Sequence, residues 1–181
     1  MKSLAVFCGS SPGNSPVYTA LAVRTGELIA QRGLTLVYGG GRVGLMGSLA
    51  DAALAAGARV VGVIPQMLID REVGHAALSQ LHVVRTMSER KLLMGDLADS
   101  FLALPGGIGT MDEFFEAWTW TQLGLHRKPC ALLNLDGYYD PLLEFLDSAV
   151  AEGFLQPRYR AALMVAAEIE TALDRLAAAA S

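Results

Sequence analysis

Positive charge and long apolar runs are both scarce in this sequence of 181 residues. Lysine and arginine number 14 against 18 aspartates and glutamates, so the formal net charge at pH 7 is -4. Surfaces that bind nucleic acids usually carry a basic stripe that displaces counterions from the phosphates. A membrane-spanning helix needs roughly 18 consecutive apolar residues, and no run of that length occurs here. We therefore predict neither a nucleic-acid partner nor a membrane span.

Cysteine and histidine are also sparse, which limits the chemistry that the chain can support. Cys8 and Cys130 each lie in an apolar stretch, as small buried side chains do in a reducing compartment. His75, His82 and His126 are far apart, and none has a second histidine or a cysteine at ligand spacing. We predict no metal site and no catalytic thiol. The N-terminal residues run directly into a strand without a cleavable signal, so the expected compartment is the cytoplasm.

Short β-rich runs alternate with longer helical patterns, which is typical of βα units that form a parallel sheet. The strands are continuously apolar, which indicates that helices cover both faces. We predict one domain over 1–181, a doubly wound, Rossmann-like parallel sheet with helices on both faces. The predicted strands are SLAVFC, LTLVY, RVVGVI, LHVVRT, SFLALP, CALLN and a short strand near Leu163 to Val165. The predicted helices run from about Pro16 to Gln31, Leu45 to Ala56, Ser88 to Asp99, Thr110 to Leu123, Tyr139 to Glu152, and onward from Glu168.

The loops that follow the strands are the informative ones, because ligands of such sheets bind outside the carboxyl ends of the strands. The first of these loops is CGSSPGNS, and the third is IPQMLIDREVGH. In the third, which we predict to be a polar loop, Arg71 and Glu72 form either a surface ion pair or part of a site.

The loop after the second strand is rich in glycine. Gly39, Gly41 and Gly44 fit G-x-G-x-x-G, but this is the second βα turn, and Ile64 and Pro65 stand where a ribose-binding acid belongs. Three interpretations stay open: a tight turn only, a dinucleotide site, and a phosphate cradle. Gly39, Gly40 and Gly41 are the cradle candidates.

The stretch PGGIGTMDE after the fifth strand is the strongest motif. Gly106, Gly107 and Gly109 let backbone N–H groups at a helix N-terminus converge on an anion. Thr110 and Glu113 also have the T-x-x-E spacing of a capping box, in which the carboxylate reaches back to the cap's own N–H. The anion site and the capping box can coexist.

Two cations occupy an unusual position at the start of the fourth helix. Arg90 and Lys91 lie in its predicted first turn, where positive charge opposes the helix dipole. Either an anionic group compensates them, or they form a solvated turn with Arg90 paired to Glu89 or Asp99. With the glycine turns, this set suits cleavage at an anomeric carbon, where carboxylates stabilise an oxocarbenium-like centre and arginine holds phosphate or the departing group.

These residues also resemble a known family. PGGIGTMDE fits the pattern PGGxGTxxE, and the run from Met87 to Lys91 fits the pattern MxxRK. Together with the segment LLNLDGYYDPLLEFLDSAVAEGF, these motifs make the chain similar to the Lonely Guy (LOG) phosphoribohydrolases. The resemblance runs from about Ala5 to Phe154. The resemblance implies hydrolysis of cytokinin riboside 5'-monophosphates, and in some members of AMP, to free base and ribose 5-phosphate. A nucleotide-binding sensor without catalysis is the alternative.

The resemblance also implies the roles of individual residues. The catalytic pair falls on Arg90 and Glu113, and no cofactor is required. The implied substrate contacts are Glu72, Arg90, Lys91, Gly107, Ile108, Gly109, Thr110 and Glu113. The phosphate-cradle candidates, which come from the glycine turns and not from the resemblance, are Gly39, Gly40, Gly41 and Gly106. The segment from Gln66 to Gly74 is where we expect discrimination between bases. The family is commonly homodimeric, and the helix with Trp118 and Trp120 is a candidate interface by analogy.

Proteins with this motif have also been labelled lysine decarboxylases. A pyridoxal-phosphate enzyme needs a Schiff-base lysine and a partner for the pyridinium nitrogen. The only lysines are Lys2, Lys91 and Lys128, and one domain of this size is small for that chemistry. We therefore reject decarboxylation.

Overall fold

Seven parallel strands form one sheet in the computed structural model of the chain, in the order β4-β3-β2-β1-β5-β6-β7. The structure describes residues 1–72, 74, 75 and 77–180. The strands are β1 (Ser3–Phe7), β2 (Thr35–Tyr38), β3 (Val60–Pro65), β4 (Gln80–Val84), β5 (Ser100–Ala103), β6 (Cys130–Leu133) and β7 (Met164–Ala166). The helices are α1 (Pro16–Gln31), α2 (Gly44–Ala55), α3 (Gln66–Glu72), α4 (Met87–Leu97), α5 (Ile108–Gln122), α6 (Asp140–Ala151), α7 (Pro157–Ala162) and α8 (Ile169–Ala179).

Two hydrophobic clusters lie on opposite faces of the sheet. Leu4 and Val6 of β1 point into the cluster that α1, α2 and α8 cover, whereas Ala5 and Phe7 point into the one that α4, α5 and α6 cover. Successive side chains of a strand face opposite ways, so a strand with helices on both sides must be apolar throughout. The predicted doubly wound Rossmann-like sheet is confirmed.

The strand order reverses between β1 and β5, which both lie in the middle of the sheet. β1 pairs with β2 on one side and with β5 on the other, so the connections leaving β1 and β5 diverge toward opposite faces. Such a point leaves a crevice at the carboxyl ends of the strands. The loop that begins at Gly9 and the turn that begins at Pro105 border this crevice.

The helix boundaries follow local signals closely. Ser15 caps α1 by accepting a hydrogen bond from the Val17 N–H, with Pro16 in the first turn. Gly33 and Gly57 follow α1 and α2 with φ of 65° and 88°, a left-handed conformation that glycine adopts without strain. Helix ends marked by such residues are therefore predictable from the sequence alone.

Two helices were not predicted. α3 occupies the third loop, so the prediction of a polar loop around Arg71 and Glu72 was wrong: the residues after Pro65 contain no glycine or proline before the helix ends. α7 begins at Pro157, a residue that favours the first turn of a helix. Within the described part of the chain, no helix combines the length and apolar character that crossing a bilayer requires.

Candidate active site

The glycine turn after β5 leads directly into α5, which begins earlier than predicted. The helix starts at Ile108, and its cap residue Gly107 offers no side chain to hydrogen-bond the first N–H groups. Thr110 therefore lies inside the first turn, so the predicted capping box of Thr110 and Glu113 was wrong. Gly107 takes the cap position, where glycine is well tolerated. The first N–H groups of α5 are left for a ligand or water.

The glycines of this turn serve two different purposes. A Cβ atom on Gly107 or Gly109 would meet nothing within 4 Å, so these positions border open space. A Cβ atom on Gly106 would lie 2.1 Å from the Thr110 hydroxyl and 2.9 Å from the Gly9 nitrogen. Gly106 is thus required for packing the turn against Thr110 and the loop after β1, whereas Gly107 and Gly109 keep the helix end accessible.

Arg90, on α4, is buried with only 6% of its surface exposed. Its Nε donates to the carbonyl of Val63 at 3.0 Å, and its Nη2 donates to the carbonyl of Gly39 at 3.0 Å. These carbonyls belong to β3 and to the turn after β2, so the sheet itself fixes the guanidinium. The predicted alternative of a solvated arginine paired to Glu89 or Asp99 does not occur, because Glu89 binds Arg85 instead.

Glu113, one turn and a half into α5, approaches the same guanidinium. Its Oε1 lies 3.3 Å from Arg90 Nη1, and the two side chains are only 11% and 8% exposed. A buried charge is costly unless an opposite charge accompanies it, and this pair satisfies that condition. The anionic compensation that the sequence predicted for Arg90 is therefore Glu113, together with the two backbone carbonyls.

The pair faces a cavity of about 210 Å³ at the switch point of the sheet. One wall is the first turn of α5, and the floor holds the arginine and the carboxylate. The lining residues are Cys8, Ser10, Met46, Arg90, Gly107, Ile108, Gly109, Thr110 and Glu113. Six of the sequence-derived site residues thus come together in one cavity: Arg90, Gly107, Ile108, Gly109, Thr110 and Glu113.

Gly39, Gly40 and Gly41 are buried and do not line this cavity. A Cβ atom on Gly39 would lie 1.9 Å from Arg90 Nη2, and one on Gly40 would lie 3.1 Å from Ile64. Gly40 also has φ of 74°. In this structure Gly39 makes room for Arg90 and Gly40 makes room for β3, and the phosphate cradle that the sequence suggested here stays a prediction.

Lys91 points away from the cavity and into a cluster of acids. Its Nζ lies 2.5 Å from Glu116 and 3.1 Å from Asp112. Burial by itself lowers the pKa of Lys91, but the two carboxylates outweigh it and raise the pKa above its ordinary value. The lysine is therefore a firmly charged ammonium group behind α5, and its predicted contact with substrate stays untested. Glu72 ends α3, and its side chain lies outside the described residues.

Three lining residues were not among the predicted site residues. Ser10 belongs to the CGSSPGNS loop, which sequence position alone had marked as informative, and Met46 lies on α2. Cys8 is buried, and both that burial and the nearby Glu113 charge raise the pKa of its thiol far above the ordinary value. The thiol stays protonated at neutral pH. Among the described residues, no group of three metal-ligating side chains comes together.

A second cavity of about 260 Å³ adjoins the first, and Ser10 and Gly107 line both. Its other lining residues are Gly9, Ser11, Pro12, Gly13, Tyr18, Leu45, Pro105, Gly106 and Tyr138. No charged side chain lines it, in contrast to the first cavity. The charged side chains that line these two cavities thus lie on the side of the turn that carries Arg90.

Fold and site together define a Rossmann-like protein in which an uncapped helix N-terminus faces a buried arginine–glutamate pair. The chain belongs to the Lonely Guy (LOG) family, as its motifs indicated: residues 46–176 match the family model described as "Possible lysine decarboxylase". A relative from Rhodococcoides fascians is 53% identical over 95% of this chain and 87% of its own length. One from Arabidopsis thaliana is 49% identical over 88% and 73%. Both are named cytokinin riboside 5'-monophosphate phosphoribohydrolase.

Solved structures show the same fold at greater distance. The molybdenum cofactor binding protein from Rippkaea orientalis superimposes with a TM-score of 0.74 and 23% identity, covering 100% of this chain and 99% of that one. Identity this low supports the fold and carries no argument about ligands.

The description of the family model as a possible lysine decarboxylase does not fit the three lysines. Lys91 is held by two carboxylates that raise its pKa, whereas a Schiff base requires a neutral amine. Lys128 donates to the carbonyl of Gly95 at 2.7 Å, and Lys2 is exposed beside β1. None of the three lines the cavity of Arg90 and Glu113.

Proposed function

We propose that this protein hydrolyses the N-glycosidic bond of cytokinin riboside 5'-monophosphates, and of AMP, to release the free base and ribose 5-phosphate. The observation that carries the proposal is the Arg90–Glu113 pair, buried beside the open N-terminus of α5. The names of the relatives at 53% and 49% identity support the same reaction.

The first turn of α5 suits the 5'-phosphate. N–H groups at a helix start carry partial positive charge and favour an anion. Gly107 and Gly109 have no side chain to obstruct the approach, and the buried Thr110 lies where any side chain on Gly106 would collide with it. A phosphate here is held by a few placed groups, in agreement with the acidic net charge of the chain.

Glu113 and Arg90 suit the reacting end of the substrate. In the proposed reaction, water adds to the anomeric carbon while the bond from that carbon to the base nitrogen breaks, and its electron pair leaves with the base. The base then takes up a proton, and the attacking water loses one. Glu113 orients the ribose hydroxyls or the water and stabilises the positive charge that develops on the sugar. Arg90 stabilises the phosphate or the negative charge on the departing group. No cofactor enters this reaction.

The direct test is to incubate the purified protein with isopentenyladenosine 5'-monophosphate and with AMP, and to assay free base. We expect release from both. Glu113→Gln should lower kcat by about 100- to 10,000-fold, the range that a positioned carboxylate contributes. Glu116→Gln is the matched control, because it makes the same change one turn further along α5, where the carboxylate meets Lys91.

Absence of base from both substrates would refute the proposal. Tight AMP binding without turnover would identify a non-catalytic nucleotide sensor instead. Undiminished activity in Glu113→Gln would show that the Glu113 carboxylate has no role in catalysis.

We further propose a homodimer in the cytoplasm. The family analogy supports the dimer, and so do exposed apolar side chains on α4 and α5: Leu92 is 54% exposed, Ile108 91% and Leu123, just after α5, 68%. Trp118 is buried in the core, so it contributes little to such an interface. Light scattering on the purified protein checks the mass. The two unpaired, buried cysteines support a reducing compartment.

A further inference from the structure

Two consecutive tyrosines after β6 donate hydrogen bonds to the backbone of the glycine turn. The hydroxyl of Tyr139 donates to the carbonyl of Leu104 at 2.6 Å, and that of Tyr138 donates to the carbonyl of Gly106 at 2.8 Å. The carbonyl between them, on Pro105, accepts from the Gly9 N–H at 3.2 Å. Three successive carbonyls of the turn are therefore held by other parts of the chain.

The bond from Tyr138 determines where the next N–H group points. The carbonyl of Gly106 and the N–H of Gly107 belong to one planar peptide group, and in the trans form they point in opposite directions. The Gly107 N–H therefore lies on the side of the peptide opposite to the Tyr138 hydroxyl, and Gly107 itself lines the cavity of Arg90 and Glu113. A peptide between two glycines has few steric barriers to rotation, so without a partner its carbonyl can turn over.

The segment that carries the tyrosines is itself rigidly held. Asp136 adopts φ of 50°, a left-handed conformation that is strained for most non-glycine residues. The Asn134 side chain stabilises this bend, because its oxygen accepts from the Tyr139 N–H at 2.7 Å and its nitrogen donates to Asp140 at 2.7 Å. The bend therefore presents both phenol groups to the turn in one fixed position.

We propose that Tyr138 is a positioning residue for the substrate's phosphate. By holding the Gly106 carbonyl, it keeps the Gly107 N–H aimed at the anion, although it does not touch the substrate. This inference rests on the proposed function, because it presumes that the phosphate binds at the start of α5.

The test is Tyr138→Phe, which removes one hydroxyl from a side chain that is 40% exposed. We expect calorimetry with ribose 5-phosphate to show binding weakened about three- to tenfold, the fold-change for losing one hydrogen bond. The KM for AMP should rise equally, while kcat changes by less than about twofold because the Arg90–Glu113 pair is untouched. Inhibition by isopentenyladenosine, which lacks the phosphate, should stay constant.

Tyr18→Phe is the matched control, because the Tyr18 ring packs edge-on against Tyr138 at 5.8 Å. It should leave the binding of ribose 5-phosphate unchanged. Two results would overturn the inference and leave the proposed function standing. In one, Tyr138→Phe weakens the binding of ribose 5-phosphate and of isopentenyladenosine equally; in the other, the binding of ribose 5-phosphate is unchanged. A wild-type protein that binds ribose 5-phosphate without releasing base would refute the function, and the calorimetric comparison would still decide the role of Tyr138.

Discussion

Replacing Gly39 by alanine tests whether the sheet positions Arg90 for catalysis. The new Cβ atom would lie 1.9 Å from Arg90 Nη2, 3.1 Å from its Cζ and 3.3 Å from Met46 Sδ. The nitrogen contact must open to an ordinary 3.4 Å, which displaces the guanidinium by about 1.5 Å. Gly39 lies outside the cavity, so the change reaches it mainly through Arg90, with a looser contact on the cavity residue Met46.

The magnitude follows from the bonds that such a displacement breaks. The guanidinium would lose its hydrogen bond to the Gly39 carbonyl, and the one to Val63 would be strained. Hydrogen bonds from a charged group contribute about 1.5–3 kcal/mol each. Because one such bond is lost, we expect the free energy of unfolding to fall by about 1.5–3 kcal/mol. Misplacing a catalytic group by about 1 Å costs on the order of 100-fold in rate. We expect kcat for base release from AMP to fall by about that factor.

The assay measures kcat and thermal unfolding on the same preparations. Gly153→Ala is the control, because Gly153 follows α6 with φ of 80° and its Cβ atom would meet nothing within 4 Å. Its backbone strain should cost about 1–2 kcal/mol of stability and leave kcat unchanged. A Gly39→Ala protein with wild-type kcat would show that the placement of Arg90 by the sheet is not needed for the reaction.

Three further outcomes are expected. Arg90→Lys should lower kcat by about 100-fold, because an ammonium group cannot contact Val63, Gly39 and Glu113 in one plane; equal rates would contradict this. Hydrogen bonds from the Lys2 and Ser3 N–H groups lower the pKa of Asp99 below 3.8, so its stabilisation is present above that pH and is lost as the pH falls through the lowered value. Asp99→Asn should therefore reduce the melting temperature at pH 7, and the reduction should shrink as the pH falls below 3.8. Iodoacetamide at pH 8 should not inactivate the native enzyme, because burial raises the pKa of Cys8; stoichiometric inactivation traced to this residue would disprove it.

The sheet could be predicted because its signals are local. Continuous apolar strands, the capping Ser15 and the glycines after α1 and α2 act within a few residues of themselves. The start of α5 was misplaced because T-x-x-E spacing occurs inside a helix as readily as at its cap. Thr110 is the third residue of the helix, whose first turn is closed by the hydrogen bond from the Met111 N–H to the Gly107 carbonyl.

The site was partly predictable for the same reason. The position of Arg90 at a helix start indicated an anionic partner, and Glu113 supplies it. The glycines after β2 were harder to interpret, because Gly39 is required by a guanidinium that is 51 residues away in sequence. No sequence pattern near Tyr138 indicated its role, because its partner Gly106 lies in a different loop, the one that follows β5.

The position of α8 has a consequence for synthesis of the chain. Its residues Ile169, Ala172, Leu173 and Leu176 complete the same cluster as β1 and α1, and Arg24 on α1 pairs with Glu170 across 146 positions. Every residue that lines the cavity of Arg90 is translated before position 114. The nascent chain therefore carries all the cavity residues before α8 is made, and α8 later covers the apolar surface that β6 and β7 add to this face of the sheet. Until α8 emerges, that apolar surface is open to chaperones or to aggregation.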